Sequence, residues 1–315
     1  MKVYKMKVYK MKALKRFYLA FIMIFLVSVG FSQQQAAKIE VPKIKNPRFL
    51  NEVGPIIYID QSHQNFHQKE GRFKPFADLL TADGYKVDSI ISLNKLKSDA
   101  ILVIANAIHQ KNVRNWRKPI HSAFTKTEIT FIQNWVKNGG KLILIADHMP
   151  FAGATNSLAN AFGFNFCDGF AYLQKEKRNL PDVFSESNNR LITSEITNGN
   201  LGEKINAVTT FTGSSFTTPK AAKGILQFKK EDYCLAPAIA WQFNEDTPRE
   251  DLKDKYQGAI LKYGKGKVAV FGEAAMFTAQ TITNNSGTYK FGFHAKSAPN
   301  NIAFIRNLFF WLSKN

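Results

Sequence analysis

The sequence predicts an α/β fold with a doubly wound, mostly parallel sheet. Short aliphatic runs, "PIIYID" (55–60), "AILVIANAI" (100–108) and "KLILIAD" (141–147), are too short for core helices and show no alternation, as expected of strands covered on both faces. Stretches of helical spacing separate them, giving the strand–helix alternation of a sheet wrapped on two sides. The right-handed crossover rule leaves few other ways to connect such units.

Each element follows from local chemistry. Residues 33–54, polar and punctuated by prolines, read as a linker. After the strand at 55–60, the stretch 72–82 fits a helix with Phe73, Phe76, Leu79 and Leu80 on one face, and "GYKVDSI" (84–90) a second strand. Thr125 with Glu128 three residues on is the capping-box pattern; Ile129, Ile132, Trp135 and Val136 follow at helical spacing until Gly139-Gly140 stops the helix. A further helix is expected over 155–162. Residues 168–230 are less regular and read as an insertion or lid with short strand-like runs, "AVTTF", "GILQF" and, just beyond, "AIAWQF". "GAILKYGKGKVAVFG" has the form of a hairpin turning at Gly-Lys-Gly, and "PNNIAFIRNLFFWL" (299–312) that of an asparagine-capped helix with Ile302, Ile305, Leu308, Phe309 and Leu312 on one stripe. Residues 55–315 show no composition break, so a single domain is expected.

The amino terminus repeats a five-residue unit, MKVYK-MKVYK-MKALK, which makes Met11 an alternative start. Lys12, Lys15 and Arg16 precede 15 residues without a charge, Phe17 to Phe31. This has the form of a cleaved signal peptide spanning residues 1–32, cut near Ser32–Gln33; it is short of the ~20 residues of a membrane-spanning helix. No cysteine follows the apolar run, so lipoprotein acylation is not expected. The reading is of a secreted or periplasmic protein that does not span the membrane once cleaved.

Lysine and arginine number 43 against 24 acidic residues, and seven of the 43 fall in the first 32 residues, leaving 36 against 24, a formal +12. Nucleic acid is not an expected partner, for no recognition motif is present and the compartment is wrong. The charge suits anionic envelope surfaces, or simply dispersed solubilising lysines. Two cysteines, Cys167 and Cys234, are too few for a disulfide framework and lack metal-ligand spacing; whether they pair is left open.

In open α/β sheets ligands bind beyond the carboxyl ends of the strands. Asp60, His63 and His67 follow the first strand, Asn106 and His109 the third, Asp147 and His148 the fourth, and Glu273 the strand "KVAVFG". The expected ligand-binding set is therefore Asp60, His63, His67, Asn106, Asp147, His148 and Glu273. Asp60, His148 and Glu273 are the candidates for catalysis, and His63, His148 and Asp147 for a divalent metal, the one cofactor these residue types admit. Each has a structural alternative: aspartates at strand exits close Asx turns, histidines in polar loops are commonly solvated, and Glu273 could cap a helix. There is no HExxH spacing, no G-x-S-x-G elbow and no glycine-rich phosphate loop.

Taken in order, "IIYIDQSHQNFH…GRFKPFADLLTADGYKV", "LVIANAI", "FTKTEITFIQNWVKNGGKLILIADHMPFAG", "VAVFGEAAMFTAQ" and "NNIAFIRNLFFWL" resemble a family of exported bacterial domains of unknown function. That family is related to class I glutamine-amidotransferase-like folds and, more distantly, to domains of gliding-motility and intraflagellar-transport proteins. The resemblance spans residues 54–313 and implies a flavodoxin-like core. Amidotransferases carry a nucleophilic cysteine in a tight turn after a central strand. The corresponding turn here is Asp147-His148-Met149, so glutamine hydrolysis is not expected. Three functions stay open: binding a polar ligand such as a carbohydrate, metal-assisted or acid/base hydrolysis by the same residues, and non-catalytic docking to an envelope protein or gliding-type assembly.

Overall fold

The structure, a computed structural model, describes residues 35–37, 44–50, 52–174, 181–284 and 287–314. The expected signal peptide and cleavage site lie outside the described residues, as does part of the expected lid, 175–180. No described helix is long and apolar enough to cross a membrane. The larger of two compact units, residues 35–281 and 289–315, holds the sheet, the helices and the strand tips.

Nine strands form the central sheet: β1 (Ile56–Asp60), β2 (Lys86–Ile90), β3 (Ile101–Ala105), β4 (Lys141–Ile145), β5 (Asn165–Phe166), β6 (Phe216–Thr217), β7 (Lys223–Gln227), β8 (Tyr256–Tyr263) and β9 (Gly266–Phe271). Their order is β2-β1-β3-β4-β9-β8-β6-β5, with β7 also paired to β8. The first five are mutually parallel and the rest antiparallel. Among the described residues four α-helices cover the sheet: α1 (Lys74–Ala82), α2 (Lys126–Lys137), α3 (Phe151–Ala161) and α4 (Asn301–Ser313).

The strands read as continuous apolar runs because both faces are buried. Ile57, Ile59, Val103, Ile143, Ile145 and Phe271 meet α1 and α4 on one face. Tyr58, Leu102, Leu142, Leu144, Val268 and Val270 meet α2 and α3 on the other. Burying such a side chain contributes about 1.5–3 kcal/mol, and these two layers hold the parallel strands in register.

Local details refine the sequence reading. The capping box forms: Glu128 N–H donates to Thr125 Oγ1 at 3.2 Å and Thr125 N–H to Glu128 Oε2 at 2.8 Å. Helix α3 begins at Phe151 rather than 155, and Asp168 supplies its missing cap by accepting from Gly153 N–H at 3.1 Å. Asn300 stands at the head of α4 but its side chain makes no capping bond, and "AIAWQF" forms no strand. In the segment read as a linker, Arg48 N–H donates to Asp83 and Phe49 packs edge-on against Tyr85. Cys167 and Cys234 are joined by a disulfide.

Candidate ligand site at the strand tips

The order β2-β1-β3-β4-β9 reverses direction between β1 and β3, where doubly wound sheets open a crevice. In this chain the loop after β1 fills it. Asn65 Nδ2 donates to Ala105 O at 3.3 Å, Phe66 N–H to Asn106 O at 3.0 Å, and Ile108 N–H to His63 O at 3.0 Å.

Asp60 and His63 are consumed in that loop. Asp60 accepts Ser62 N–H at 3.1 Å and its hydroxyl at 2.5 Å, while His63 Nδ1 lies 2.7 Å from Asp60 Oδ2. The carboxylate only accepts, so Nδ1 carries the proton. On the far side of the ring, Nε2 lies 3.5 Å from Glu128 Oε1, the same side chain that closes the capping box of α2. Burial alone pulls the His63 imidazolium down, but the bond and charge of Asp60 and the charge of Glu128 outweigh it, so its pKa stands above the ordinary histidine value.

Asn106 is the hub between the tips of β1, β3 and β4. Its backbone is left-handed at φ 48°, its N–H donates to Ile145 O, its amide lies 3.1 Å from His67 Nδ1, and its Oδ1 accepts Asp147 N–H at 2.9 Å. Asparagine tolerates this conformation better than most residues. His67 is buried between Asn106 and Phe73; desolvation, then the nearby Arg72 charge, lowers its pKa to about 3, so it is a neutral acceptor.

Beside this hub, Asp147 and Glu273 form a pair of carboxyls that repel each other's charge. Glu273 is buried and accepts Ala275 N–H at 2.6 Å and Met276 N–H at 2.7 Å, heading the short 3₁₀ turn Ala275–Phe277. Desolvation first, and then the Asp147 charge, raise the Glu273 pKa well above its ordinary value, against the pull of those two donors. Desolvation also raises Asp147, opposed by His148 and by bonds from the His148 and Ala274 N–H groups.

His148 has a different environment. Its Nδ1 lies 2.7 Å from Met149 O, which can only accept, so a neutral ring presents Nε2 as an acceptor. The ring stacks on Phe170 with centroids 4.7 Å apart and meets Trp241 edge-on at 4.6 Å; Phe151 and Trp116 complete the surround at 6.1 and 6.2 Å. Ring contacts continue from Trp116 to Phe66 at 6.2 Å and from Phe170 to Phe243 at 5.2 Å. Three members are open to solvent: Trp241 at 52%, Phe66 at 41% and Phe243 at 39%. The loops carrying Trp116 and Trp241 are zipped together by Lys118 N–H to Ala238 O and Ala240 N–H to Trp116 O, both 2.9 Å. Trp241 is held at φ 67°, a strained conformation for a bulky residue.

The expected residues therefore divide into three groups rather than one centre: Asp60 with His63; His67, Asn106, Asp147 and Glu273; and His148 among aromatic rings. His109 bonds its own backbone at Lys111 N–H. The metal candidates His63, His148 and Asp147 have separate partners, and among the described residues no three His, Cys, Asp or Glu groups come together as ligands for an ion. Sequence reasoning missed the aromatic rim, because "AIAWQF", which carries Trp241 and Phe243, reads as a strand and Trp116 lies in a loop without periodicity. It also missed Asp168, whose carboxyl is pushed by burial to about 6 against the pull of Lys118 and the Gly153 N–H. Gln257 was missed as well: its amide is buried without a protein partner, close to Gly213 and Glu273.

No family model matches the chain, and no curated protein is similar to it. Solved structures are. The mmIFT52 N-terminal domain is 15% identical with a TM-score of 0.55, covering 82% of this chain and 98% of that one. The likeness is one of fold: a mixed α/β architecture with a doubly wound, mostly parallel sheet and antiparallel hairpins. A ThuA-like protein from Bacteroides uniformis (12% identity, TM-score 0.41, 86% and 94% covered) and a cytoplasmic protein from Salmonella typhimurium LT2 (11%, 0.43, 82% and 97%) are also similar. Both cysteines of this chain are tied in the disulfide, and Asp147-His148-Met149 occupies the turn after β4.

Proposed function

We propose that this chain is an exported amidotransferase-like domain, of the kind related to gliding-motility and intraflagellar-transport domains, that binds a carbohydrate at the carboxyl edge of its parallel strands. The observation that carries this is the aromatic rim around His148. Sugar rings offer apolar faces that pack on exposed aromatic side chains, and hydroxyls that need a few fixed polar partners. Trp241, Phe243 and Phe66 provide the first; His148 Nε2 and Asp147 are suited to the second. Export is supported by the basic-then-apolar amino terminus and by the disulfide, which persists in oxidising compartments.

Calorimetric titration against cello-, xylo- and chito-oligosaccharides tests the reading. Binding that is lost in Trp241→Ala and His148→Ala supports it; absence of binding across oligosaccharides of several linkages contradicts it.

One observation favours a second reading, acid/base hydrolysis at the same edge. Two neighbouring carboxyls with raised pKa values are the arrangement in which one stays protonated as acid while the other acts as base. Release of reducing ends by the wild type and not by Asp147→Asn separates hydrolysis from binding alone.

A further inference from the structure

The opposite edge of the sheet concentrates positive charge that the strand-tip site does not use. Register sets Lys262 of β8 directly across from Lys267 of β9, and Lys267 beside Lys141 of β4, so three adjacent strands carry three lysines in one row. Like charges directly opposite destabilise a strand pair. Lys141 and Lys267 are moreover only 9% exposed each. Within the chain the compensation is partial. Lys267 Nζ donates to Trp311 O at 2.8 Å and Lys314 O at 2.7 Å, and Lys262 Nζ to Glu195 Oε1 at 3.0 Å. Glu195 is also bonded by the Trp311 indole N–H.

These groups border a cavity of about 400 Å³ lined by Lys262, Lys265, Lys267 and Lys314, with Glu195 the one acidic side chain among the described residues that line it. A second cavity, of about 300 Å³, shares Glu195, Lys262 and Trp311 and adds Lys223. Such volumes suit small ligands. The turn that presents Lys265 is fixed against α2: Gly264 is left-handed at φ 60°, Lys265 N–H donates to Lys137 O at 2.9 Å, and a Cβ on Gly266 would fall 2.1 Å from Val136 O.

We infer that the amino-terminal edge of the sheet is a second binding site, built from Lys262, Lys265, Lys267 and Lys314, for the phosphoryl group of a small phosphate ester. Among the described residues four ammonium groups face one carboxylate, an excess that a single carboxylate ligand would not offset. A phosphate monoester carries close to two negative charges at neutral pH. Among the described residues no arginine lines the cavity to fork onto a planar carboxylate, whereas lysine binds phosphate as a point charge.

Isothermal titration at low ionic strength with glucose 6-phosphate, glucose 6-sulfate, inorganic phosphate and glucose tests the inference. Saturable binding of glucose 6-phosphate is expected, weaker binding of the sulfate ester, and none of glucose. Inorganic phosphate binding as tightly as the ester supports the site with the free ion as its ligand. Lys265→Glu/Lys314→Glu changes two exposed side chains and should weaken phosphate binding by about tenfold or more; Lys265→Gln/Lys314→Gln serves where the reversed charges disturb folding. Trp241→Ala should leave phosphate binding unchanged, which keeps this site distinguishable from the strand-tip reading. No saturable binding of either phosphate below about 10 mM, or binding by the glutamate and glutamine variants as tight as that of the wild type, overturns it.

Discussion

Removing the Cys167–Cys234 disulfide should destabilise the protein by an amount that can be worked out. The bond joins positions 67 residues apart and encloses the insertion, including Phe170, on which His148 stacks. In the chain-entropy account a cross-link contributes about 3 kcal/mol for a 15-residue loop and about 4.7 for 100 residues, which places this one near 4 kcal/mol. With unfolding entropy of about 2.1 cal/mol/K per residue over roughly 280 residues, the expected fall in Tm is about 7 °C. Cys167→Ala/Cys234→Ala is the perturbation, and urea unfolding of wild type and variant, each with and without reductant, is the assay. Reductant should lower the wild-type midpoint and leave the variant unchanged. A variant within about 1 kcal/mol of the oxidised wild type would refute the reasoning, since it would mean that the insertion is held by packing alone.

Other outcomes are expected from the strand tips. Asn106→Ala should cost about 3 kcal/mol, from two lost bonds and a left-handed backbone, and Asn106→Gly about 1 kcal/mol less; equal losses in urea melts would remove strain from the account. The His63 pKa is raised on folding, so its contribution is full below about pH 6.5 and fades as pH rises through the folded value. The stability gap between wild type and His63→Gln should accordingly be wider at pH 5.5 than at pH 8.5; a constant gap would contradict the Asp60 and Glu128 pairing. Asp168, raised from 3.8 to about 6, binds more protons folded than unfolded across that window. Stability therefore falls there as pH rises, and Asp168→Asn should flatten that stretch of the profile.

Much of the fold was legible because its signals are local. Buried parallel strands leave uninterrupted aliphatic runs, and Thr125 with Glu128 announces a helix start from three residues' spacing. The edge where polar groups gather followed from the position of Asp60, Asn106, Asp147 and Glu273 after strands. Their partition did not, because it depends on contacts between distant segments: Glu128 reaching His63, or Asn106 binding both His67 and Asp147. The aromatic rim was illegible for the same reason. Trp116 and Trp241 are brought to His148, and Phe243 to Phe170, only where two irregular loops pair. The lysine row was hidden by register: Lys141, Lys262 and Lys267 are scattered in sequence and align only once β4, β8 and β9 are side by side.

Tryptophan fluorescence during saccharide titration tests the central claim most directly, because Trp241 is both the most exposed ring of the rim and in contact with His148. Saturable change on adding an oligosaccharide, abolished in Trp241→Ala and weakened in His148→Ala, is the predicted result. Saccharide binding of undiminished affinity in both variants would contradict it.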